Sequence, residues 1–240
     1  MKKVLFLMVL SMGILFFGHA ANAQMKPMYQ YTHYNNDGKS TSGADFHTAL
    51  SHIAQWIYRP SDLLGLPAGP LRSVYFRIGI TYGQYTTPCP VVWDSMWVKM
   101  GYTQDSIYKD TIVNGMTGYY VLKSGLTTVF FQPKVTIFFD TANPIGTWVR
   151  FPIDGFNYRR DANLVVELSR TRLSYNYGFD WMMTNSCRGC YIGGYIGRPY
   201  SSWPSGDQAD IGFNDSTSSV PELSTLKGFY AYPNPSQGLF

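Results

Sequence analysis

The sequence reads as an all-β protein, an antiparallel β-sandwich, and three observations carry that reading. Aromatic residues make up 17% of the chain, with 19 tyrosines, while charged residues reach only 14%. That balance suits pleated, half-buried surfaces rather than helical bundles or coiled coils. From about residue 51 to residue 213, short segments of period-two alternation follow one another between Gly- and Pro-rich turns. After Pro60 no segment of helical period is long enough to compete. With 45% hydrophobic side chains in 240 residues, the chain has the material for a good core, which excludes disordered and collagen-like classes.

The first element is a leader. Met1, Lys2 and Lys3 form a basic head, residues 4–17 are apolar, and Ala21-Asn22-Ala23 supplies a small-x-small cleavage site, the three parts of a secretory signal peptide over residues 1–23. The apolar run is shorter than the ~20 residues that a bilayer core requires, which argues against a membrane anchor. The mature chain is therefore expected to begin at Gln24 and to fold outside the reducing cytoplasm, where disulfides can persist. The formal charge of +4 includes Lys2 and Lys3. The small remaining excess is not the concentrated basic face of a nucleic-acid binder.

Residues 24–50 are polar and turn-rich, a loose leader with room for a first strand. Phe46, Leu50, Ile53 and Ile57 sit at helical spacing, but Gln55-Trp56-Ile57-Tyr58 before Arg59-Pro60 favours a strand from about Ser51. Pro60, Gly65, Pro67, Gly69 and Pro70 mark a turn-rich connection. Strands are then expected over residues 71–80, 95–102, 119–122, 127–131, 135–139, 147–153, 163–169, 178–183 and 209–213. In the first, Val74, Phe76, Ile78 and Ile80 point one way and Ser73, Tyr75 and Arg77 the other. Val149, Phe151, Ile153, Leu164, Val166 and Leu168 join Val74, Phe76 and Ile78 as the expected core. Glu167 alternates with Leu164, Val166 and Leu168, so it reads as a solvated charge on a half-exposed strand, where Glu167→Gln should change little. The sandwich is expected to span residues 51–215. A small-polar linker follows over 216–227, then the aromatic and Pro-rich residues 228–240.

The three cysteines are Cys89, Cys187 and Cys190. In an oxidising compartment a local Cys187–Cys190 bridge across Gly189 is favoured, and pairing of Cys89 with either stays open. Zinc would need a fourth ligand, and His33, His47 and His52 show no metal-ligand spacing to the cysteines. No Gly-x-Ser-x-Gly elbow, His-Glu-x-x-His pair, Walker loop or dinucleotide glycine fingerprint occurs. The glutamates are Glu167 and Glu222 alone, which gives little support to a glycosidase carboxylate pair. Catalytic residues are therefore expected to be absent. Among the aromatics of the last third, alternation places Tyr177, Phe179 and Trp181 on one face, as core packing requires. Tyr200 and Trp203 lie between Pro199 and Pro204, which break regular pairing, so they are the expected ligand-stacking residues.

Tyr232-Pro233-Asn234-Pro235 with Gly238 and Phe240 resembles the opening of the type IX secretion sorting domain of Bacteroidetes-type bacteria. The resemblance implies recognition by the outer-membrane translocon, with residues 228–240 as the incomplete start of that domain. Phrases such as Gln55-Trp56-Ile57-Tyr58-Arg59-Pro60 and Gly146-Thr147-Trp148-Val149-Arg150-Phe151 look like the galactose-binding-like or adhesin-type modules of such secreted proteins. That likeness implies a jelly-roll-like sandwich in one domain. No cofactor is expected; the metal such modules suggest would be calcium on Asp207, Asp210 and Asp215, and these three straddle a strand. The combined expectation is an exported, non-enzymatic protein for cell-surface adhesion or carbohydrate binding, with glycans or cell-surface components as partners and no nucleic acid. An accessory domain of a secreted hydrolase is the alternative. Mass spectrometry of exported protein should find Gln24 as its first residue; an intact Met1 would reject the signal peptide.

Overall fold

The computed structural model describes residues 26–32, 51–79, 90–108, 110–113, 116–121, 123–138, 146–171, 181–185, 191–196, 200–201 and 207–215. The signal peptide, most of the leader, all three cysteines, Trp203, the linker and the sorting motif lie outside them. In chain order the strands are β1 (Pro27–Tyr31), β2 (His52–Tyr58), β3 (Gly69–Arg77), β4 (Val91–Trp93), β5 (Met96–Thr103), β6 (Asp110–Val113), β7 (Met116–Val121) and β8 (Thr127–Gln132). There follow β9 (Val135–Ile137), β10 (Trp148–Tyr158), β11 (Asn163–Arg170), β12 (Met183–Asn185), β13 (Tyr191–Tyr195), β14 (Tyr200–Ser201), β15 (Asp207–Ala209) and β16 (Ile211–Asp215). Every pairing among them is antiparallel, and no helix occurs among the described residues. The all-β expectation holds, down to the strand chosen over a helix at residues 52–58.

Two larger sheets provide the layers. One has the order β1-β16-β3-β10, the other β13-β2-β11-β5-β8. Their inner faces share one apolar core because alternation sends every second residue inward: Val74 and Phe76 from β3, Val149, Phe151 and Ile153 from β10, Leu164, Val166 and Leu168 from β11, Trp56 from β2 and Met96, Val98 and Met100 from β5. All nine residues expected in the core are buried there. Aromatic rings join the layers. Phe76 packs 5.6 Å from Trp56 of the opposite sheet, 6.0 Å from Phe151 and 5.5 Å from Trp181, and Phe130 meets Phe151 at 5.4 Å, edge to face. Each such ring buries on the order of 150–250 Å², about 4–6 kcal/mol of apolar transfer. The arrangement is sandwich-like.

The turn-rich leader contributes more than a tether. Within residues 24–50, β1 pairs along β16 from Pro27↔Asp215 to Tyr31↔Ile211, so the layer begins well before residue 51. Its Tyr29 and Tyr31 rest on the core. A polar segment with little apolar surface of its own is held here by pairing along the sheet edge. On the opposite edge, β10 carries Pro152 and a register break between Pro152 and Phe156, both of which blunt an edge against further pairing.

The outer face of the four-stranded sheet is tied by ions. Arg150 grips Asp215 with Nε on Oδ1 and Nη2 on Oδ2, both at 2.7 Å. Ser73 donates to Oδ1 at 2.9 Å and Tyr75 donates to the same oxygen. The Arg150 hydrogen bonds first, then those from Tyr75 and Ser73, outweigh burial and lower the Asp215 carboxyl to about 2. Because this folded-state value lies below the unfolded one near 3.9, the contribution of Asp215 is complete above about pH 5 and disappears as pH falls toward 2. Solvent screening at this half-exposed pair limits it to about 1 kcal/mol. Urea denaturation from pH 6 down to pH 2 should therefore show Asp215→Asn converging with the wild type at the acid end. A difference that persists unchanged at pH 2 would exclude the ion pair as its cause.

Candidate functional site

Among the described residues, the outer face of the five-stranded sheet brings together a buried ion pair, hydrogen-bonding side chains and an exposed aromatic ring. Register aligns its side chains in rows across the strands. Ile192 pairs with Gln55, Gln55 with Glu167, Glu167 with Lys99, and Lys99 with Thr128. Two residues along, Ser169 pairs with Trp97 and Trp97 with Phe131.

Glu167 is the centre of the first row, and it is not solvated. Its side chain is 5% exposed. Lys99 Nζ stands 2.8 Å from Oε1, Ser169 donates to Oε1 at 3.2 Å, and Gln55 Nε2 donates to Oε2 at 2.6 Å. Alternation placed Glu167 correctly on the face opposite Leu164, Val166 and Leu168. The sequence reading erred in leaving that face open to water. The segment between β5 and β8 folds back over half of it. Gln55 accepts from the Lys123 backbone N–H at 2.9 Å and from the Tyr108 hydroxyl at 3.2 Å, and its amide also donates to the Lys123 carbonyl at 3.2 Å. Beneath the segment Ile57, Tyr108, Val165 and Ile192 form a second small core, with Leu126 against it. A Cβ on Gly101 would lie 2.6 Å from Leu126 Cδ2, so glycine makes the seat for that contact. Lys123 also pairs with Asp105 within the cover. A central strand covered on both faces leaves a carboxylate no water, so it must be matched by a cation and hydrogen bonds.

The other half of the face is open. Trp97, half-buried, stacks on Phe131 with ring centroids 5.2 Å apart and planes 25° from parallel, and Phe131 is 53% exposed. Strict alternation over Thr127–Gln132 would put Phe131 on the same side as Val129, in the core. A β-bulge prevents this: Val98 pairs with Phe130 but Lys99 with Thr128, which leaves Val129 as an extra residue. Val129 and Phe130 both turn to the core, and Phe131 is delivered to the outer face. Sequence reasoning missed this pair because a bulge leaves no mark in the pattern. Trp97 and Lys99 were within reach, alternating with the buried Met96, Val98 and Met100.

The residues expected at a site fare differently. Tyr200 lies in the two-residue strand β14, paired with Val121 of β7, a ladder position where a loop was expected. Trp203, Cys187, Cys190 and the sorting residues Tyr232, Pro233, Asn234, Pro235 and Gly238 fall outside the described residues. Trp181 is buried in the core, as expected. Asp210 pairs with Arg77 at 3.3 Å and Asp215 with Arg150, so these two carboxylates serve different arginines. No group of three or more His, Cys, Asp or Glu side chains that could hold a metal occurs among the described residues.

Fold and face together define an all-β, antiparallel, sandwich-like protein with one sheet face half covered and half open. Compared with protein-family models, curated proteins and solved structures, the chain matches none.

Removing one partner of a buried, hydrogen-bonded ion pair costs more than removing a solvated charge. Lys99→Met should therefore lower stability by about 1–3 kcal/mol, the Lys99 side chain being one-third exposed. Glu167→Gln, which keeps hydrogen-bonding capacity, should cost about 1 kcal/mol. Equal, near-zero effects in urea denaturation would return Glu167 to the solvated role.

Proposed function

We propose that the protein is an exported, non-catalytic, jelly-roll-like module that binds carbohydrate at a cell surface through the open half of the five-stranded sheet. The observation that carries this reading is the stacked Trp97–Phe131 pair, with Phe131 half-exposed beside the Lys99–Glu167 row. Aromatic rings offer flat apolar faces to the C–H faces of sugars, while a fixed polar row beside them meets the hydroxyls. Binding without turnover fits the engagement of Glu167, whose two oxygens already accept from Lys99, Ser169 and Gln55, an arrangement suited to a structural anion rather than a proton carrier. Export rests on the basic-apolar-small pattern of residues 1–23 and on Tyr232-Pro233-Asn234-Pro235, through which the type IX translocon would take the chain.

Phe131 lies on an edge strand with its ring largely outside the core, so truncating it should leave the thermal midpoint within a few degrees of the wild type. On a glycan array, Phe131→Ala should lose about tenfold or more in retention, as for a stacking contact worth about 1.5 kcal/mol. Unchanged retention, or a large fall in the thermal midpoint, would remove Phe131 from any binding role.

A further inference from the structure

Among the described residues, two lysines of this face and its cover each have a carboxylate beside them. Lys99 is held by Glu167 at 2.8 Å, and Lys123, in the segment that covers the other half, is held by Asp105. Asp94 and Lys134 stand in the facing β4–β5 and β8–β9 connections, flanked by the Trp93↔Val135 and Met96↔Gln132 pairs, so both signs occur at that end among the described residues. Among the described residues the open half presents a ring pair, the Thr128 hydroxyl position and an ammonium whose charge is cancelled but which has three N–H donors in all. Neighbouring outward positions on a strand are about 6.5–7 Å apart. A sugar stacked on Phe131 therefore has its hydroxyls beside the row of Lys99 and Thr128.

We propose that the ligand class is neutral saccharide, the Lys99–Glu167 ion pair serving to hold a donor on the face without attracting polyanions. This rests on the carbohydrate reading above and adds its charge selectivity. An unpaired lysine at the same position would draw uronic or sulfated polymers from a distance. The paired one acts only at hydrogen-bond range, where salt has little influence.

The test uses the full mature chain in affinity electrophoresis through gels containing neutral polysaccharides (glucan, galactan, mannan and xylan) or polygalacturonate. Each is run at about 0.05 and 0.5 M NaCl, which shortens the screening length roughly threefold. Expected are retention by at least one neutral polymer, changed less than about twofold by salt, and none by polygalacturonate at either salt. In Glu167→Gln the Lys99 charge is no longer cancelled, so retention by polygalacturonate should appear at low salt and vanish at high salt. Polygalacturonate retaining the wild type as strongly as the neutral polymers would overturn the neutral selectivity while leaving the ring platform standing. No gain of polyanion retention by a folded Glu167→Gln would likewise overturn the role given to the ion pair. Retention by no polymer of either kind would remove the carbohydrate reading itself, and this inference with it.

Discussion

The architecture hangs on the contact between the two sheets at Phe76. Its ring meets Trp56 across the interface and Phe151 and Trp181 on its flanks, so one residue of β3 ties the layers to the chain crossing near Trp181. Such rings carry most of the apolar area that drives the sheets together. Their bulk also sets the register, because a one-residue slip of β3 would replace Val74 and Phe76 in the core by Ser73, Tyr75 and Arg77. The crossing itself is close. Ile78 forms a bridge with Trp181, and a Cβ on Gly79 would lie 2.9 Å from the Met182 backbone, which only glycine tolerates without displacement.

With the inner faces committed to that core, polar groups are forced onto the outer faces, and the two sheets solve the problem differently. The four-stranded sheet builds a cluster around Asp215, where an arginine fork, a tyrosine and a serine converge on one carboxylate. This anchors the end of β16, and with it the pairing that brings β1 out of the leader. The five-stranded sheet instead covers half of its outer face with the segment after β5. The central strand β11 is then buried on both sides, and Glu167 becomes an interior ion whose partners come from three strands.

Covering half a face defines the other half. The cover ends at Gly101 and Leu126, and next to it the bulge in β8 turns Phe131 outward against Trp97. A ring pair of this kind, rigid and half-wet beside a fixed polar row, is suited to a flat ligand with apolar faces and polar rims. The same ion pair that satisfies the buried carboxylate also removes net charge from the open half, so stability and selectivity draw on one interaction.

Local rules acting on single residues made much of this legible beforehand. Period-two alternation alone assigned Val74, Phe76, Val149, Phe151, Leu164, Val166 and Leu168 to one interior, because side chains on a strand have only two directions to choose between. The aromatic content and the spacing of turns indicated strands over helices for similar reasons, and the strand at residues 52–58 was chosen correctly from an ambiguous pattern. What lay beyond reach depends on contacts between residues far apart in the chain. Whether the face carrying Glu167 meets water depends on an earlier segment, containing Tyr108 and Lys123, folding back over it, and whether Phe131 is core or surface depends on one extra residue in a ladder with β5. Sequence pattern assigns a residue to a side of its own strand; only the assembled sheets decide what lies on that side, since burial is a property of the neighbours rather than of the residue.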